Sequence, residues 1–210
     1  MMTTIKSIAV LAAISVLAGC AHEVQVSSQS GAAEVMSTKV SQQKAYLVFS
    51  NNLVTASKQV KPGFACGAHS YPMAIGDALK SSITQTVNAA YPHAISTGGA
   101  IPSTSDGLIF KFDLSDFDPT IRFAPGFFVP TADANVEIAI QARVADRTGK
   151  ELITTTFHGH GHASEDGACG IGADALGDAA KKAIQDAMEN FVDKVINTGA
   201  LDALVTTVSK

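Results

Sequence analysis

The stretch Phe157-His158-Gly159-His160-Gly161-His162 sets three of the chain's six histidines two residues apart. In an extended strand, residues i and i+2 share a face and sit about 6.6–7 Å apart. His158, His160 and His162 would then point the same way. Neutral imidazole ligates zinc, copper or nickel, and neighbours at this spacing can reach one ion. His69, Glu165 and Asp166 are candidates to complete such a shell. The pattern has a second meaning. The histidines can continue the polar face set by Thr154 and Thr156, leaving Gly159 and Gly161 on an inner face against which a helix packs closely. No HExxH and no CxxC accompanies the run, and those are the spacings that make a metal or redox centre. The expectation is therefore no metal, no cofactor and no catalysis. Zinc or copper on His158, His160, His162 and His69 is the alternative.

The three cysteines carry more specific chemistry. Lys6 precedes an apolar run from Ile8 to Ala18, too short to span a bilayer stably. The run ends in Leu17-Ala18-Gly19-Cys20, which matches the lipobox of bacterial lipoproteins. Residues 1–19 are expected to be a signal peptide, and Cys20 the acylated new amino terminus. Each buried methylene of an acyl chain adds about 0.8 kcal/mol, so more than one chain anchors stably. Position 21 is Ala rather than Asp, which in the usual sorting rule favours the outer membrane, with the domain facing the periplasm. Cys66 and Cys169 then remain. In an oxidising compartment a disulfide is the default. It would close a loop of about a hundred residues, for which chain entropy gives about 4–5 kcal/mol.

Other candidates are weaker. Arg122-Phe123-Ala124-Pro125-Gly126-Phe127-Phe128-Val129-Pro130 is broken by prolines and glycine. Its phenylalanines either fold back onto the sheet or offer an apolar patch to a partner or a lipid surface. Phe123, Phe127, Phe128 and Val129 are the candidate partner-binding residues. Asp113, Asp116 and Asp118 crowd one strand end, and Asp118-Pro119 reads as a turn. No GxSxG, P-loop or dinucleotide fingerprint occurs. With 15 basic against 19 acidic residues and no basic cluster, the chain is not expected to bind nucleic acid.

The elements that must position these residues follow from periodicity. Residues 20–42, the lipidated cysteine and a Ser/Gln/Ala-rich stretch, read as a flexible tether to a single periplasmic domain spanning 43–210. Ala45 to Phe49 reads as a buried strand, followed by a loop containing Pro62, Gly63 and Cys66. Ile75, Leu79, Ile83 and Val87 mark one helical face, which Tyr71-Pro72 and Tyr91-Pro92 flank. His93 to Thr97 fits a short strand. Leu108, Phe110, Phe112 and Leu114 alternate with polar residues, as do Ala134 to Val144. Asp146-Arg147-Thr148-Gly149 turns the chain back into a strand from Glu151 to about His160. Leu176, Ala180, Ile184, Met188, Phe191 and Val195 mark a second long helix, and Leu201 to Val208 a short extra one. The expected fold class is α+β: a two-layer sandwich, a mostly antiparallel sheet with two long helices on one face.

The lipobox, the helix after the first strand, the strand Gly107-Leu108-Ile109-Phe110-Lys111-Phe112, the hairpin Val144 to Leu152 and the closing alanine-rich helix together resemble a group of small envelope lipoproteins. These are the YajG-like family and lipoproteins similar to the amino-terminal domain of TolB. The histidine run and a long insertion at 115–133 depart from that pattern. The resemblance implies a non-enzymatic, often oligomeric component of an envelope assembly with protein partners, such as secretion, export, flagellar or cell-wall machinery.

Overall fold

The structure, a computed structural model, describes residues 20–27, 43–97, 107–126, 129–197 and 201. The fold is α+β. Five strands form the main sheet in the order β4-β1-β5-β6-β7, and β2 and β3 form a second, two-stranded sheet. The strands are β1 (Ala45–Phe49), β2 (Ser57–Val60), β3 (Tyr71–Ala74), β4 (Ile95–Thr97), β5 (Leu108–Ala124), β6 (Thr131–Ala145) and β7 (Glu151–Asp166). The helices are the single turn α1 (Asn51–Val54) and the long α2 (Gly76–Ala90) and α3 (Gly172–Phe191), which cover one face. The chain leaves α3 through a wider turn at Val192–Ile196. The expected short helix at Leu201 to Val208 lies outside the described residues except for buried Leu201.

Alternation explains the long hairpins. Ala132, Ala134, Val136, Ile138, Ile140, Ala142 and Val144 of β6 face the core, while Asn135, Glu137 and Arg143 face out. The turn to β7 is built as its residues suggest. The Asp146 carboxylate accepts from the backbone of Thr148 and Lys150 and from the Thr148 hydroxyl, and Gly149 takes a left-handed φ of 84°. These donors, the Thr148 hydroxyl foremost, hold the Asp146 carboxyl below its ordinary pKa.

Three expectations need correction. The segment 115–133, expected as a long insertion, is built into the sheet: β5 and β6 run on as one hairpin, paired from Ile109–Ala145 to Ala124–Thr131. A β-bulge between Leu114 and Asp116 shifts the register by one residue. Even-numbered residues face the core before it; Pro119, Ile121 and Phe123 do so after it. Asp118-Pro119 is therefore strand, not turn. Pro119 is tolerated because β1 ends opposite Phe112, leaving the far half of β5 an edge. Second, β1 pairs in parallel with both β4 and β5, so antiparallel pairing prevails through the long strands alone. Third, the loop after β1 contains α1 and the β2–β3 hairpin. Tyr71 is not a flank of the helix but a fully buried strand residue.

Candidate functional site

The histidine run lies on β7, an edge strand, and its two faces do different things. His158, His160 and His162 are exposed, while Phe157, Gly159, Gly161 and Ala163 face α3. A Cβ on Gly159 would fall 2.0 Å from the Ala183 carbonyl oxygen, and one on Gly161 1.8 Å from that of Ala179. The match is one of pitch. Ala179, Ala183 and Ala187 recur every four residues, a rise of about 6 Å. Gly159 and Gly161 recur every two, about 6.8 Å. Small residues thus meet small residues along the crossing, and Phe157 against Phe191, with centroids 5.2 Å apart, closes it at one end.

The same helix seals the strand's outer edge. The Asp186 carboxylate accepts from His160 N at 2.8 Å, the Asn190 amide donates to His158 O at 3.0 Å, and Lys182 Nζ donates to His162 O at 2.8 Å. Residues 182, 186 and 190 form one row on α3, and the backbone groups they take are those an incoming strand would need.

The imidazoles sit over the solvent face of β6. His160 Nδ1 is 3.7 Å from Glu137, and His162 Nδ1 is 3.7 Å from Asp133 and 3.2 Å from the Asn135 side chain. His69 does not join them. Its Nδ1 faces His22 Nε2 at 2.8 Å. Among the described residues no three His, Cys, Asp or Glu side chains converge on a point where they could hold one ion.

The structure brings the other candidates together at the opposite end of β6 from the Asp146 turn. Cys66 and Cys169 form a disulfide, tying the loop before β3 to the start of α3. Residues 20–27, expected to be tether, instead lie along β3 as a strap. The Cys20 carbonyl accepts from Ser70 N at 3.1 Å, His22 N donates to Ser70 O, and Val24 N donates to Pro72 O. Two features hold the strap that a compositional reading misses. Val24 is buried in the core, and Gly177 leaves the room on α3 that the Gln25 backbone fills, since a Cβ there would stand 2.8 Å from Gln25 O. The His22 ring stacks between His69 and Tyr71, at 5.1 and 5.7 Å. Burial raises the Tyr71 phenol above its ordinary pKa, and its hydroxyl donates to Cys169 O. Cys20 itself is exposed and outside the disulfide.

Of the candidate partner-binding residues, Phe123 is corrected: it belongs to β5, is 9 % exposed and packs against Tyr71 at 6.3 Å. Phe127 and Phe128 lie outside the described residues. Val129 is 47 % exposed. It lines a groove of about 820 Å³ together with Phe64, Arg122, Phe123, Pro125 and Pro130. Phe64 is fully exposed. The sequence reading passed over Phe64; its place beside Pro62-Gly63 in a cysteine loop was the available signal.

No known family model matches the chain, and no curated protein matches it. Solved structures do. Protein XCC0632 from Xanthomonas campestris, assigned to the family DUF330, superposes with a TM-score of 0.50 at 15% identity, over 88% of this chain and 99% of that one. A protein of Helicobacter pylori described as a homologue of a neuraminyllactose-binding hemagglutinin also gives 0.50, at 7% identity, over 83% of this chain and 95% of that one. A minor lipoprotein from Acinetobacter baumannii gives 0.37 at 10% identity, over 78% of this chain and 95% of that one. What the chain has in common with the first two is the fold, across nearly the whole length of each.

Proposed function

We propose that the chain is a lipoprotein acylated on Cys20, held on the periplasmic side of the outer membrane, and that it acts without catalysis as a structural component of an envelope assembly. One observation carries this reading. Cys20 directly follows Leu17-Ala18-Gly19, is exposed, stands outside the disulfide, and begins a segment hydrogen-bonded into the domain. Exposure and freedom from the disulfide leave its thiol open to acylation, and the hydrogen-bonded segment then ties the anchor to the domain. Ala21 supports the outer-membrane address. No described helix is long and apolar enough to cross a membrane, and acyl chains on Cys20 would supply the attachment. With the β7 edge sealed by α3, partner strands or further copies have the short β4 edge, where Ile95 is exposed, and the far half of β5.

Mass spectrometry of the detergent-extracted protein tests the reading, under non-reducing conditions and without chelator. A mature chain starting at an acylated Cys20, released from the membrane fraction by Cys20→Ser, is expected. In native spectra a discrete multimer without metal supports a structural role. A monomer carrying one zinc or copper per chain, lost on His160→Ala, overturns it.

A further inference from the structure

We infer that the end of the domain around Phe64 and Val129 is a lipid-facing surface that lies on the bilayer beside the anchor. The inference rests on the acylation of Cys20 proposed above. Phe64 is a fully exposed aromatic and Val129 is about half exposed. With Pro125 and Pro130 they make a continuous apolar groove. Such a surface has a cost in water and calls for an occupant. The position of Cys20 decides which occupant. Its carbonyl is bonded to Ser70 N, and His69 N is bonded to Cys66 O, two residues from Phe64. At 3.8 Å per Cα step these links place Phe64 within about 20 Å of Cys20. The β5–β6 turn joins the same end, because Gly167 N donates to Pro130 O and Cys169 is bonded to Cys66. Acyl chains on Cys20 would therefore hold this groove within about 20 Å of the anchor point.

The polar fringe suits that layer. Arg122, which lines the groove, and exposed Lys61 just before the Phe64 loop are cations that can meet lipid phosphates. Glu23 on the strap, Glu165 and Asp166 also share this end, and Asp166 is engaged by the Thr131 hydroxyl. An apolar groove with two cations beside it, fixed near a lipid attachment point, is the arrangement of an interfacial contact that adds a second signal to an acyl anchor.

The chain contains no tryptophan, so a single indole reports cleanly. The test uses the full acylated protein in phosphatidylethanolamine–phosphatidylglycerol vesicles, with and without lipid brominated on its acyl chains. One reporter is Phe64→Trp. The other is Arg147→Trp in the distant turn, about 48 Å away along β6 at 3.4 Å per residue. Mass spectra of the same samples read acylation. Expected is a blue-shifted emission that bromolipid quenches for Phe64→Trp and an unquenched emission for Arg147→Trp, with Val129→Asp weakening the first. An acylated protein in which Phe64→Trp stays unquenched overturns the inference and leaves the anchor standing. Quenching of both reporters also overturns it, because the domain would then lie with no preferred face. An unacylated Cys20 overturns the anchor and the inference together.

Discussion

Replacing Gly161 by alanine should separate the two meanings of the histidine run. The added methyl would sit 1.8 Å from the Ala179 carbonyl oxygen and 2.5 Å from Ala183 N. Both are backbone atoms of a helix, so no side chain can rotate away. Reaching ordinary contact requires α3 to withdraw by about 1.6–2.2 Å, and a gap of that size forfeits half or more of each dispersion contact along the crossing. Overpacking of this kind costs up to about 3 kcal/mol. For a chain of this size that lowers Tm by about 6–12 °C. Thermal and urea unfolding of Gly161→Ala, beside two controls, measure it. Gly149→Ala has a φ of 84° but nothing within 4 Å, and isolates backbone strain at about 1 kcal/mol. His160→Ala removes an exposed ring while its backbone N–H keeps Asp186, and should stay within about 0.5 kcal/mol of the parent. The reasoning fails if Gly161→Ala is as stable as the parent, or if His160→Ala is the more damaging change.

Reduction of Cys66–Cys169, which are 103 residues apart, should lower stability by about 4 kcal/mol and Tm by about 8–16 °C, read by calorimetry with and without reductant. Val24→Asp would put a carboxylate where Val24 is 4 % exposed. It should release the strap, seen as faster hydrogen exchange at the His22 and Val24 amides while those of β6 remain protected. Thr86 Oγ1 is buried without a partner among the described residues. Thr86→Val should therefore be neutral or stabilising by about 1 kcal/mol in urea titration, and a clear loss would reveal a bond that the hydroxyl makes.

Legibility in the sequence followed the range of the forces involved. Both long helices and the β6–β7 hairpin were readable because burial on one face writes a period into the residues. β5 was readable only as far as Leu114, since the bulge at Ser115 inverts the alternation and makes Ile121 and Phe123 look like loop. The β2–β3 pair left almost no trace: Ser57, Lys58 and Gln59 are all exposed, and what holds them is pairing to Tyr71–Ala74. The strap left still less, with Val24 as its one buried side chain among the described residues of that segment and its partner sites some fifty and a hundred and fifty residues away. At the candidate site, the glycines of the run announced a close helix. Phe64 left only its place beside Pro62-Gly63 in a cysteine loop, because an exposed aromatic has no periodic pattern.

The strap also sets a load path. A pull at residue 20 first loads the bonds from Cys20, His22 and Val24 to the Ser70–Pro72 backbone. From there it passes through Cys66–Cys169 into the base of α3, the longest helix of the fold. The sheet's first strand, β1, lies outside this route. Traction from a membrane would thus be borne by a covalent clamp and a long helix laid along the sheet, and the domain would resist it as one body instead of unravelling from its amino-terminal end.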